Sequence, residues 1–179
     1  MAYAENLAEA KDRLTKLHER LKKTLDFRSV SKKRAKTPVN ALLFLSGIEW
    51  RTEEFGRNAC EAFDREDIVT AILLTRGVIE NAAAAWELMD LRCSRAAGMS
   101  DDEIREYTLR LLLGHKTNDE MPKAVNVLSM LDRAAKTIPN IRDNYERLSE
   151  FAHPNWSGVM AAYVRTDKET LSAEFGRNP

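Results

Sequence analysis

Glycine and proline are scarce, at 7 and 5 in 179 residues, against 22 alanines and 20 leucines. So few turn-formers exclude a large sandwich or barrel, and the alanine and leucine excess predicts helix. The two cysteines, Cys60 and Cys93, cannot build a disulfide framework, and no CxxC pair offers zinc ligands. They read as buried or idle thiols of a reducing compartment. Neither sign of charge is in excess, with Lys+Arg and Asp+Glu at 28 each. Nothing global therefore draws the chain to nucleic acid or membrane, although a local patch can. No unbroken apolar run approaches the roughly 18 residues of a membrane span. Met1-Ala-Tyr-Ala-Glu5 lacks the basic-then-apolar pattern of a signal peptide, so the expected location is cytoplasmic, without a membrane partner. GxGxxG, Walker, GxSxG and HExxH motifs are missing. The three histidines share no helical turn and no ExxH pairing occurs, so neither metal nor cofactor is expected.

What is present describes one ordinary domain: 44% hydrophobic and 31% charged residues, in a length that supports a single core. The charge is uneven. Residues 1–36 hold eleven basic and five acidic side chains, and the remainder carries the opposite imbalance. The excess peaks at Arg28, Lys32, Lys33, Arg34 and Lys36, with no anion between them. That stretch is either a solvated linker or a phosphate-contacting loop.

Helical spacing organises the rest. Leu7, Ala10, Leu14, Leu17 and Leu21 form a narrow stripe on a first helix expected over Tyr3–Phe27, suited to a coiled-coil-like contact or to packing on its own domain. Thr37-Pro38 supplies a cap and first-turn proline for a second helix carrying Leu42 to Phe63. A third, about Glu66 to Arg95, is the most apolar and is expected at the centre. Ser100-Asp-Asp-Glu103 is a capping box that opens a fourth, stopped by Gly114. Pro122 and Pro139 are read as opening a fifth and a sixth helix. The sixth ends at His153, because Pro154 disfavours helix in the residue before it. Alternation around Thr166–Thr170 signals a terminal hairpin. The expected fold is all-α: a bundle of five to six helices with a short C-terminal β-hairpin. Its expected parts are a basic amphipathic helix and linker (1–36), a bundle core (37–157) and a hairpin tail (158–179).

The densest polar chemistry lies in Asn144-Tyr-Glu-Arg147-Leu-Ser-Glu150-Phe-Ala-His153-Pro-Asn155-Trp156-Ser-Gly158. An arginine followed by four to six residues and then a histidine occurs three times, as Arg13/His18, Arg110/His115 and Arg147/His153. Only the last combines a helix end, a following aromatic loop and polar neighbours. With Thr75-Arg76-Gly-Val-Ile-Glu80 upstream, this wording resembles the HEPN superfamily of helical proteins over roughly residues 40–165. The resemblance implies a metal-independent endoribonuclease acting as a homodimer with a composite site, in a toxin–antitoxin or antiphage setting with a cognate antitoxin or other partner protein.

The chemistry fits the residue types. RNA carries its own nucleophile, the 2′-OH, and needs a base and positive charge on the phosphorane. His153 is the candidate acid or base and Arg147 the candidate phosphate fork. Glu150 is placed to orient either group, Asn155 to donate to the phosphate, and Trp156 to stack a base. Arg76 and Glu80, one turn apart, either brace this helix or form an internal ion pair. The same residues also have a structural reading: a histidine suits the carbonyl end of a helix, and Arg147 has glutamates nearby. On an ideal helix Arg147 and His153 lie about 120° apart, so they converge through distortion near Pro154 or through a second chain. Leu148 stands where the active members of the resembled family favour a polar residue, which points to the alternative, a non-catalytic module binding a nucleotide, RNA or partner protein. A third reading is a structural fragment whose hairpin continues beyond Phe175-Gly-Arg-Asn-Pro179.

Overall fold

The computed structural model describes residues 2–31, 35–95 and 98–177. It is an all-α bundle, 71% helical, ending in a two-stranded antiparallel hairpin. The helices are α1 (Ala2–Arg20), α2 (Phe27–Val30), α3 (Lys36–Asp64), α4 (Ile68–Asp90), α5 (Asp101–Leu113), α6 (Val127–Ala134), α7 (Ile141–Ala152) and α8 (Ala161–Tyr163). The strands are β1 (Val164–Asp167) and β2 (Ser172–Phe175). Single π-helical turns extend α4 over Leu91–Arg95 and precede α8 over Trp156–Met160. The count exceeds six because α2 and α8 are extra short helices.

The leucine stripe of α1 is its inward face: Leu7, Ala10, Leu14 and Leu17 are half-buried, and the other described side chains of the helix are exposed. It packs on its own domain, antiparallel to α3. A Cβ on Gly56 would lie 2.5 Å from a Leu14 methyl, so the missing side chain is what admits that leucine. Lys11 Nζ reaches Asp64 at 2.6 Å, and His18 Nδ1 lies 3.2 Å from the buried Glu53 carboxylate. The helix stops at Arg20, not Phe27. Trp50 Nε1 takes the Lys22 carbonyl at 3.0 Å, and the Asp26 carboxylate caps a fresh start by accepting from Arg28 N at 2.9 Å.

α3 and α4 form the central antiparallel pair. Glu66, at φ 59°, closes the turn between them in the left-handed region. Arg51 Nη1 donates to Asn81 Oδ1 at 3.0 Å, and the Phe55 ring occupies the space a Cβ on Gly77 would need. Buried Ala59, Ala62, Ala71, Ala83 and Ala84 keep the helices close. α4 also packs on α6 and α7, around a core of Ala83, Ala84, Met130, Leu131, Ala134, Ile141 and Tyr145. Inside that core the fully buried Glu87 accepts hydrogen bonds from the Tyr107 hydroxyl and, at 2.8 Å, from Arg133 Nε. Among the described residues one helix meets the length and composition of a membrane span, which no unbroken run had suggested: Ile68–Cys93, mean hydropathy 1.4. It carries Arg76, Glu80 and Glu87 in ion pairs.

Three expected helix starts are displaced. α3 begins two residues early, at Lys36 after Ala35, so Thr37-Pro38 lies within its first turn. α6 begins at Val127, where the Asn126 side chain accepts from Leu128 N, and not at Pro122, whose carbonyl accepts from His115 N. α7 begins after Asn140, at φ 61°, two residues beyond Pro139. The capping box at Ser100/Glu103 forms as the sequence predicts, with both reciprocal bonds.

Candidate functional site

α7 positions the candidate pair. Its last residue is Ala152, and His153 follows as an extended cap with ψ 148°, the conformation Pro154 favours. The chain then folds back over the helix end: Asn155 N donates to His153 O at 2.8 Å, and Gly158 N donates to Asn155 Oδ1 at 3.0 Å. A Cβ on Gly158 would stand 2.1 Å from the His153 carbonyl and 2.7 Å from that of Phe151. Only glycine lets the chain pass so closely.

Arg147 and His153 line one open groove of about 620 Å³, together with Arg76 of α4, Leu128 of α6, and Arg142, Tyr145, Glu146, Ser149 and Glu150 of α7. Helical geometry explains the lining. Arg142, Glu146, Ser149 and His153 fall within about 40° of one line along the helix, while Arg147 sits on the flank. Both residues of the candidate pair nonetheless line this one groove.

The floor is a hydrogen-bonded relay. Arg76 Nη2 donates to the Tyr145 hydroxyl at 2.8 Å, that hydroxyl donates to Glu80 Oε1 at 3.1 Å, and Arg76 and Glu80 meet directly at 3.3 Å. The Arg76 guanidinium also lies 5.0 Å over the Tyr145 ring centre. The Tyr145 bond is the strongest influence holding the Arg76 pKa above its ordinary value, against the opposing effect of burial. Arg76 and Glu80 therefore both pair with each other and hold α4 to α7.

Charge on the groove is mostly neutralised locally. Arg142 pairs with Glu146 at 2.9 Å and with Asp132 of α6 at 3.3 Å. Among the described residues the side chains of Arg147 and His153 have no hydrogen-bond or ion-pair partner, which leaves both available to a ligand. Glu150, also on the groove, accepts from Asn155 Nδ2 at 3.0 Å through its Oε2. Asn155 thus spends its side chain on Glu150 and Gly158. Trp156 is 69% exposed and is not among the groove's lining residues.

The basic stretch is separate. Arg28 and Lys36 line another cleft with Phe27, Ser31, Val39 and Asn40, and Lys32, Lys33 and Arg34 lie outside the described residues. Arg142 and Tyr145 were missed as site residues. Arg142 had one legible signal, its i,i+4 and i,i+7 spacing to Glu146 and Ser149. Tyr145 had none, because its polar partners are 65 and 69 positions away.

Compared with known protein families, curated proteins and solved structures, the chain matches none of them.

Proposed function

We propose that the chain is a HEPN-like, metal-independent endoribonuclease that works as a cytoplasmic homodimer in a toxin–antitoxin or antiphage setting. The observation that carries this reading is the groove where Arg147 and His153, both without side-chain partners among the described residues, stand beside Arg76 and Arg142. His153 takes the proton of the RNA 2′-OH as that oxygen attacks the adjacent phosphorus. Arg147 grips the non-bridging oxygens by its planar fork as charge builds on them. The bond to the 5′ oxygen breaks, solvent supplies its proton, and a 2′,3′-cyclic phosphate remains. General acid–base catalysis of this kind contributes about 10²–10⁴-fold. Arg76 and Tyr145 act on this chemistry only through the position of α7.

The test is cleavage of single-stranded RNA in the presence of EDTA, with wild type beside His153→Ala and Arg147→Ala. Cyclic-phosphate ends from wild type and silence from both variants support the reading. Cleavage that survives His153→Ala, or that EDTA stops, sinks it.

A second reading, a non-catalytic module for nucleotide, RNA or partner protein, draws on two observations. Leu148 follows Arg147, and the Asn155 amide is committed to Glu150. Under it wild type cuts nothing, yet binds RNA in a salt-sensitive manner that Arg147→Ala weakens.

A further inference from the structure

Along α1, Lys11, Arg13 and Lys16 are each paired with a carboxylate at 2.5–2.6 Å. The pairing stops where the helix ends. Residues 20–36 hold eight basic side chains and one acidic. Arg20, Lys22, Lys23, Arg28 and Lys36 are exposed there, and among the described residues their side chains have no carboxylate partner. The one acid, Asp26, takes Arg28 N at 2.9 Å as the cap of α2.

Two of these bare cations, Arg28 and Lys36, stand on one open cleft of about 390 Å³ between α2 and the start of α3. Phe27 and Val39 give it an apolar wall, and none of its described lining residues is acidic. Ser31 Oγ accepts from Ala35 N at 2.9 Å, which ties the α2 side of the cleft to the α3 side. Phe27 is 52% exposed and α2 buries none of its residues, so core packing does not account for the ring. Asn40 also lines the cleft, and its amide has no hydrogen-bond partner among the described residues.

We propose that this cleft binds single-stranded nucleic acid, with a base stacked on Phe27 and the neighbouring phosphates held by Arg28 and Lys36. Cations gathered without anions repel one another, and a phosphate backbone relieves that repulsion while releasing its own counterions. The ring supplies a face for a base, and such stacking tolerates any sequence. A duplex hides its base faces, so the strand is single. The free Asn40 amide offers both donors and an acceptor to a base edge. An anionic membrane fits less well. A bilayer surface is met by an amphipathic helix with a broad apolar face, whereas α2 has four residues and sets its one aromatic ring in a cleft. The contact is separate from the groove on α7 and independent of the ribonuclease reading.

Fluorescence anisotropy of the full chain with a labelled oligothymidylate of about twelve nucleotides tests it. The probe has no 2′-OH, so the chemistry proposed for the groove cannot cut it. Wild type should bind it at low salt. Phe27→Ala should weaken binding about 5- to 150-fold, and Phe27→Trp should keep it. Arg28→Ala combined with Lys36→Ala should flatten the slope of log affinity against log salt by about 1.4, the share of two phosphates on a single strand. The cap of α2 uses the Arg28 backbone and survives that change. Arg147→Ala should leave the affinity unchanged, and helical circular dichroism should be the same in every variant. A wild type that does not bind overturns the proposal, as does binding indifferent to Phe27→Ala and to the double variant. Loss in Arg147→Ala alone places the strand in the groove and overturns it too. So does a chain that ignores the oligonucleotide but sediments with phosphatidylserine vesicles.

Discussion

Tyr145→Phe isolates the tie between α4 and α7. The substitution keeps the ring, which is 5% exposed and packed in the core, and deletes only the hydroxyl. Two bonds go: the one accepted from Arg76 at 2.8 Å and the one given to Glu80 at 3.1 Å. Bonds to charged groups contribute about 1.5–3 kcal/mol each. Two effects reduce that sum. The Arg76 and Glu80 side chains are 32% and 28% exposed, so water reaches both, and they remain paired with each other at 3.3 Å. The expected loss is about 1.5–2.5 kcal/mol. For a domain of this length that lowers the melting temperature by roughly 3–10 °C. Urea unfolding of wild type, Tyr145→Phe, Glu80→Gln and the double variant supplies the cycle, with a coupling above about 0.5 kcal/mol expected for groups in contact. A Tyr145→Phe protein within about 0.5 kcal/mol of wild type, or a cycle without coupling, refutes the relay as a tie.

Glu87→Leu should cost about 1.5–3 kcal/mol in urea unfolding, because the Arg133 cation, 30% exposed, and the Tyr107 hydroxyl lose their buried acceptor; Glu87→Gln keeps an acceptor and should cost less. Gly158→Ala forces a methyl onto two backbone carbonyls at the end of α7. It should destabilise by about 1–3 kcal/mol or more and weaken whatever the groove binds, read from melting and RNA binding in parallel. Hydrogen bonds from the Ser100 backbone and hydroxyl hold the Glu103 carboxyl below its ordinary pKa. A depressed carboxylate contributes stability that is complete above its unfolded pKa and lost as pH falls through the lower folded one. Acid titration of unfolding should therefore show a limb in that window that flattens in Glu103→Gln.

Local signals were legible where local physics decides. The α1 stripe, the Ser100/Glu103 box and the break before Pro154 depend on residues within a few positions of each other. The starts assigned to Pro122 and Pro139 were displaced because proline only tolerates a first helical turn. The Asn126 side chain and the left-handed Asn140 set those starts instead. The end of α1 was hidden because Trp50, 28 positions away, takes the Lys22 carbonyl. In the site, Arg147 and His153 were visible as chemistry at a helix end. The groove around them was not, since its floor comes from α4 and its wall from α6.

The alanine-rich surface of α4 has a consequence for registry. Small side chains at Ala71, Ala83 and Ala84 offer few knobs to resist sliding, and a shift of one turn moves a helix by about 5.4 Å. The polar residues of α4 each address a different neighbour: Arg76 and Glu80 reach Tyr145 on α7, Asn81 reaches Arg51 on α3, and Glu87 reaches Tyr107 on α5 and Arg133 on α6. A one-turn slip would break all of these at once and strand a carboxylate in the interior. The bundle is thus keyed by these polar contacts together with the seating of the Phe55 ring at Gly77, and neutral substitutions at the polar positions should loosen the registry of α4 while leaving the helices formed.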